Sequence, residues 1–222
     1  MSLRILAFTD VHGNRKNLEK LLSSDDAKNV DVIAFCGDAA PYSNPSDVGY
    51  LIESLEKLSI PSVGVPGNMD NPSAYRDGNR FKVIHGRYVT LGGYSFIGLG
   101  GSPPTPFGTV FELSEEEIAR LLQNSWSEAV KHGPVIVVSH APPYGTACDL
   151  AMRSMHVGSK SLRKFIEENI PLLCICGHIH ESRAIDRIGD TVIVNPGPLK
   201  SGFYAVIEVR GFEVKRVELK RL

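Results

Sequence analysis

Short runs of consecutive apolar residues, rich in valine and isoleucine, recur along the chain at residues 3–9 (LRILAFT), 31–37 (DVIAFCG), 62–67 (SVGVPG), 134–139 (PVIVVS) and 172–177 (LLCICG). Runs this short, without polar alternation, fit strands buried on both faces. Between them the spacing of leucines and isoleucines turns helical: residues 14–23 with Leu18, Leu21 and Leu22, 46–58 with Leu51, Ile52, Leu55 and Leu58, and 159–168 with Leu162, Phe165 and Ile166. The longest helix starts at Ser114, where Glu117 completes a capping box, and ends at Gly133-Pro134. Strand and helix in alternation predict a largely parallel central sheet. Beyond residue 180 the pattern becomes RAIDRI, DTVIVNPG, FYAVIEV and FEVKRVEL, which reads as consecutive antiparallel strands forming a second sheet packed on the first. The last two are joined at Arg210-Gly211, and the apolar phase slips between Val214 and Val217, which predicts a bulge at Lys215-Arg216. Gly92-Gly93 and Gly100-Gly101 lack the spacing of a dinucleotide fingerprint and read as turns between antiparallel strands.

Composition narrows the class. With 222 residues, 42% of them hydrophobic, and no shift in composition, the expectation is one α/β domain over residues 1–222. The 24 Lys and Arg balance 25 Asp and Glu, with no basic run to follow a phosphate backbone, so there is no nucleic-acid signal. No membrane-span signal and no signal-peptide core is present, and the chain reads as soluble and cytoplasmic.

Open α/β sheets bind ligands at the carboxyl ends of their strands. The five apolar runs are followed by Asp10-Val11-His12, Asp38, Asn68, His140 and His178-Ile179-His180. Each could by itself be a turn or helix-capping residue, but five strand ends that all carry metal-ligand side chains point to a site. Carboxylate, imidazole and amide oxygen suit divalent ions such as Mn, Fe or Zn, and seven ligands exceed one tetrahedral ion, so two metal ions are expected. The cysteines are the competing grip. Cys36, Cys174 and Cys176 lie inside strand-like runs and Cys148 stands alone in a loop, so they read as packing. His85 reads as a turn residue between strands, and His132 as a cation in the last turn of the long helix.

The ordered motifs Asp10-x-His12, Gly37-Asp38, Gly67-Asn68-x-Asp70, His140-x-Pro142 and Gly177-His178-x-His180 resemble the calcineurin-like metallophosphoesterases. Residues 99–104 (LGGSPP) and 156–162 (HVGSKSL) look like the small phosphoesterases related to the cyclic-nucleotide phosphodiesterase branch. The resemblance implies a four-layer α-β-β-α sandwich with two mixed sheets. It also implies one metal held by Asp10, His12, Asp38 and His180 and a second held by Asp38, Asn68, His140 and His178, with Asp38 bridging. The implied reaction is in-line attack on a small-molecule phosphate ester by a hydroxide bridging the metals. One position departs from the pattern. Where the family often has a histidine that protonates the leaving oxygen, this chain has Met69, which favours phosphodiesters over monoesters and leaves His156, in the irregular stretch 141–158, as a candidate acid. Asp70 is a weaker catalytic candidate, because its histidine partner is missing and capping the turn before Asn71-Pro72 is the simpler role. A phosphomonoesterase and a non-catalytic scaffold on the same fold, like the retromer subunit that resembles this family, are the alternatives. A homo-oligomer is compatible with the sequence.

Overall fold

The computed structural model describes residues 1–152 and 154–222. In chain order the strands are β1 (Ser2–Phe8), β2 (Val32–Phe35), β3 (Ser62–Gly64), β4 (Phe81–Val83), β5 (Tyr88–Leu91), β6 (Tyr94–Leu99) and β7 (Val135–Ser139). There follow β8 (Leu150–Ala151), β9 (Met155–His156), β10 (Leu173–Ile175), β11 (Ala184–Ile188), β12 (Thr191–Asn195), β13 (Phe203–Arg210) and β14 (Glu213–Arg221). The helices are α1 (Arg15–Leu22), α2 (Asp25–Lys28), α3 (Pro45–Glu56), α4 (Glu115–Ala129) and α5 (Lys160–Asn169).

Two six-stranded sheets face each other, ordered β14-β13-β1-β2-β3-β4 and β11-β12-β10-β7-β6-β5. The strand β1 shows how one apolar run serves two layers: Leu3, Ile5 and Ala7 point between the sheets, and Leu6 and Phe8 point to the helix side. Leu18 and Leu21 of α1 and Leu51 and Leu55 of α3 cover the first sheet, while Ile118 and Leu122 of α4 and Leu162 and Ile166 of α5 cover the second. These are the four layers α-β-β-α.

The helix starts are set locally. Asn14, Asn44, Ser114 and Ser159 each accept a hydrogen bond from a backbone N–H of the first turn, and Ser114 with Glu117 makes the reciprocal capping box. The short helix α2 carries no signal long enough to read from periodicity.

Three expectations about the sheets are corrected. The apolar runs do not build one central sheet: β1, β2 and β3 are parallel neighbours in the first sheet, and β7 and β10 in the second. A strand buried on both faces has the same pattern in either sheet, so sequence periodicity does not say which one it joins. The strands after residue 180 also divide: β11 and β12 extend the second sheet, whereas β13 crosses over to pair antiparallel with β1. Finally, Gly92-Gly93 does turn the antiparallel pair β5–β6, but Gly100-Gly101 follows β6 and runs toward the ligand edge, where the Gly101 N–H donates to the Pro66 carbonyl. The bulge falls as expected, since Glu208 pairs with Arg216 and Val209 with Val214, leaving Lys215 as the extra residue. No described helix is long and apolar enough to cross a membrane.

Candidate metal centre

The five loops that carry the candidate ligands leave the carboxyl ends of β1, β2, β3, β7 and β10, so the facing sheets deliver their side chains to one shared edge. Asp10 Oδ1 lies 3.1 Å from His180 Nε2 and 3.5 Å from His12 Nε2, and the two imidazole nitrogens are 3.2 Å apart. Asp38 Oδ2 stands between the two halves, 3.6 Å from His12 Nε2 and 3.6 Å from His140 Nε2. Two groups of donor atoms converge: Asp10 with His12 and His180, and Asp10 with Asp38 and His140. Asn68 joins the second through its Oδ1, 2.8 Å from His140 Nε2. His178 brings its ring to 5.0 Å from that of His140, and its backbone N–H donates to Asp10 Oδ2 at 3.0 Å. Its ring nitrogens are not part of either close group.

Backbone strain marks the same residues. Asp10, His12, Asp38 and His178 all take positive φ, between 44° and 67°, in the left-handed region that non-glycine residues rarely enter. The glycine before each of three ligands removes a side chain that would collide with the site. A Cβ on Gly67 would lie 2.0 Å from Asp38 Oδ1, on Gly37 2.6 Å from His140 Nδ1, and on Gly177 2.0 Å from Thr9 Oγ1.

The donor set fits a cation. His140 Nδ1 faces the Cys36 carbonyl at 2.7 Å and must donate to it, which leaves Nε2 with a bare lone pair, because burial lowers the pKa of this imidazole and keeps it neutral. Asn68 Nδ2 donates to Thr109 Oγ1 at 3.0 Å, so Oδ1 is the atom that faces His140. Two acceptors 2.8 Å apart repel each other unless positive charge lies beside them. The carboxyls make the same demand. Burial pushes the Asp38 carboxyl well above its ordinary range, with Asp10 and Asp70 adding to the effect. Burial also opposes ionisation of Asp10, but hydrogen bonds with His12 and His180 outweigh it and hold Asp10 well below the usual value. A divalent metal site of Asp and His ligands is therefore chemically consistent with this edge.

Burial lowers His178 to about 3, from an ordinary 6.5. In chelator-treated protein the unfolded chain takes up a proton on this side chain below about pH 6.5 that the folded chain refuses. Stability is therefore expected to fall on acidification, by roughly 1–2 kcal/mol between pH 6.5 and 5 from this group alone. Thermal melts across that interval, with His178→Asn flattening the dependence, check the sign.

The remaining candidates divide. Asp70 accepts hydrogen bonds from the backbone N–H groups of Ala39, Ala40 and Gly67 and from the Tyr75 hydroxyl. Four donors occupy the carboxylate's lone pairs. Asp70 thus ties the loop after Asp38 to the Gly67-Asn68 turn, a structural role wider than the cap of the turn before Asn71. His156 sits on the small β8–β9 hairpin, its Nδ1 2.6 Å from Oδ1 of the fully buried Asp149, and no described ligand lies within hydrogen-bond reach of it. The hairpin is nevertheless fastened beside His180: the Met152 N–H donates to Glu181, and the Ser182 hydroxyl donates to the Leu150 carbonyl.

All four cysteines are free and buried, and burial pushes the thiols of Cys36, Cys174 and Cys176 up, so they pack. Cys148 also joins the core beneath α4 and α5 and is not loop-exposed. His85 accepts from the Gly100 N–H and packs edge-on to Phe111, and His132 stacks on Tyr88.

Sequence reasoning missed the residues that aim the ligands. Thr9 donates to Asp10 Oδ2 at 2.7 Å. Thr109, which orients Asn68, donates its own hydroxyl to Glu112 Oε1 at 2.7 Å. Burial opposes ionisation of Glu112, but donors from Thr105 and Thr109 outweigh it and hold the carboxyl at about 2. Thr9 adjoins a motif and could have been noticed, whereas Thr109 and Glu112 carry no local signal.

The fold and this edge agree with the comparisons. A family model for the calcineurin-like phosphoesterases matches residues 3–182, and the chain belongs to that family. It is 41% identical over 205 residues to the uncharacterised protein MJ1162 of Methanocaldococcus jannaschii, covering 88% of each chain. Among solved structures it is similar to TT1561 of Thermus thermophilus, with a TM-score of 0.76 at 20% identity over 100% of this chain and 99% of that one. A structure described as a novel archaeal phosphodiesterase matches with a TM-score of 0.56 at 15% identity, covering 99% of this chain and 100% of that one. At such identities the structural likenesses show the fold.

Proposed function

We propose that this chain is a two-metal phosphodiesterase, with Asp10, His12, Asp38 and His180 holding one ion and Asp38, Asn68, His140 and His178 the other. The observation that carries the reading is the pair of facing acceptors, His140 Nε2 and Asn68 Oδ1, beside a buried carboxyl that stands between the two clusters. Two divalent ions held there, of which manganese is the first to try, would lower the pKa of water and supply positive charge for the phosphoryl oxygens.

The chain's own residues set what else happens. Thr9 and the His178 N–H fix the Asp10 carboxylate, and the Met69 N–H donates to Asp38 Oδ1 at 2.9 Å, so neither carboxyl is free to rotate. Asn68 is held by the Thr109–Glu112 chain with its oxygen inward. Met69 has no proton to give a departing oxygen, which favours diesters with stable leaving groups over monoesters. Side-by-side hydrolysis of bis-4-nitrophenyl phosphate and 4-nitrophenyl phosphate by manganese-loaded protein tests it: the diester is expected to react faster, and a faster monoester would overturn the preference.

For leaving groups too basic to depart unaided, His156 is the proton donor within this reading. Asp149 pins its Nδ1, which leaves Nε2 as the nitrogen available for proton transfer, on a hairpin anchored next to His180. His156→Asn is expected to leave 4-nitrophenyl diesters within about threefold of wild type but to slow an alkyl leaving group by about 10²-fold or more, since only the latter needs an acid. Equal effects on both leaving groups would remove His156 from the chemistry.

A further inference from the structure

Three loops at the ligand edge hold large apolar side chains out in solvent. Tyr42 and Phe107 are each 85% exposed and Met152 is 81% exposed, with Val110 and Met155 beside them also exposed. Single exposed hydrophobics need no explanation, but clusters around a site do. The three loops share the ligand edge, because each is tied to a residue at or next to a proposed ligand. Ser43, following Tyr42, donates its N–H to the Met69 carbonyl at 2.9 Å, the Phe111 N–H donates to the Asn68 carbonyl at 3.0 Å, and the Met152 N–H donates to Glu181 at 2.9 Å.

The backbone is also strained to keep them there. Tyr42, Ser43 and Met152 take φ of 51°, 61° and 51°, and the side chains of Tyr42 and Met152 gain no core packing in return. Two of the three loops carry no charge: residues 39–44 (AAPYSN) and 102–111 (SPPTPFGTVF) contain no Asp, Glu, Lys or Arg, while the third, residues 149–156 (DLAMRSMH), contains Asp149 and Arg153.

Resting on the phosphodiesterase reading, we infer that Tyr42, Phe107 and Met152 form a recognition rim for a phosphate ester whose alcohol is bulky, uncharged and apolar or aromatic. Such a group would cover the exposed side chains while the phosphate enters the ligand edge. A small polar alcohol gains nothing from the side chains of Tyr42, Phe107 and Met152.

The test compares methyl, hexyl and phenyl 4-nitrophenyl phosphates on manganese-loaded wild type and on the double variant Tyr42→Ser/Phe107→Ser, which alters only exposed side chains. Wild type is expected to show a KM for the hexyl or phenyl ester about tenfold below that for the methyl ester. The variant should lose that difference while its kcat/KM for the methyl ester stays within about twofold of wild type. A larger gain from phenyl points to a base-like alcohol and a larger gain from hexyl to a lipid-like one; both support the rim. No preference in wild type, or a preference that survives in the variant, overturns it.

Calorimetric titration with phenylphosphonate and methylphosphonate separates the rim from the chemistry. If no ester turns over with metal bound, the phosphodiesterase reading fails, while tighter binding of phenylphosphonate to wild type but not to the variant still supports the rim. Equal binding of the two phosphonates to wild type overturns it.

Discussion

Asp38→Asn is expected to reduce diester hydrolysis by about 10³-fold or more and to remove both metal ions, not one. The carboxyl lies equidistant from His12 and His140, one in each cluster, and it is the only proposed ligand shared by the two sites. An asparagine keeps an oxygen to accept the Met69 N–H and tolerates the positive φ of 59°, so the loop should survive. The change has a second consequence. In the metal-free chain burial, Asp10 and Asp70 oppose the charge on Asp38, so its folded pKa lies above its unfolded one. Above the unfolded value of 3.8 the unfolded chain gives up that proton more readily, which destabilises the metal-free fold at neutral pH. The variant without metal should therefore melt higher than chelator-treated wild type. Manganese should raise the wild-type melting temperature strongly and the variant's little. Metal content and thermal melts, with and without chelator, read all three effects; one retained ion with half the activity would contradict the shared role.

Gly67→Ala is expected to be nearly as damaging, although it touches no ligand's chemistry. The added Cβ would lie 2.0 Å from Asp38 Oδ1 and 2.3 Å from the Asp38 backbone nitrogen. The backbone atom cannot swing aside as a flexible side chain would, so the Asp38 loop and the Asn68 turn must separate. A loss of roughly 2–4 kcal/mol in stability together with loss of metal is the expected result. Gly49→Ala is the control: in helix α3, with nothing within 4 Å of its Cβ, it should stabilise by about 0.5–1 kcal/mol. Urea unfolding of the two variants, with metal analysis, distinguishes steric disruption of the centre from a general intolerance of alanine.

The ligand edge was legible in the sequence because each candidate follows directly on a strand, and a strand end is a local feature. Asp10, Asp38, Asn68, His140 and His178 need only the end of an apolar run to be found, even though the runs belong to two sheets and not one. Sheet membership itself was hidden, since Ile5 and Val137 are equally buried in different sheets and nothing in either run names its neighbours. The crossover of β13 to β1 was hidden for the same reason. The slip at Lys215 was readable because a bulge changes the phase of one strand, which is again local. The full structural role of Asp70 was hidden because its partners, the N–H groups of Ala39 and Ala40, come from another loop some thirty residues earlier in the chain. Thr109 and Glu112 were missed because a residue that orients a ligand from an irregular loop leaves no periodic trace.

The most direct test of the central claim is the metal content of the manganese-loaded protein, measured by plasma mass spectrometry after desalting, in wild type and in His12→Ala and Asn68→Ala. The account predicts two ions per wild-type chain and about one in each variant, because each change weakens a different site. One ion in wild type, or two retained in both variants, would contradict the two-metal assignment.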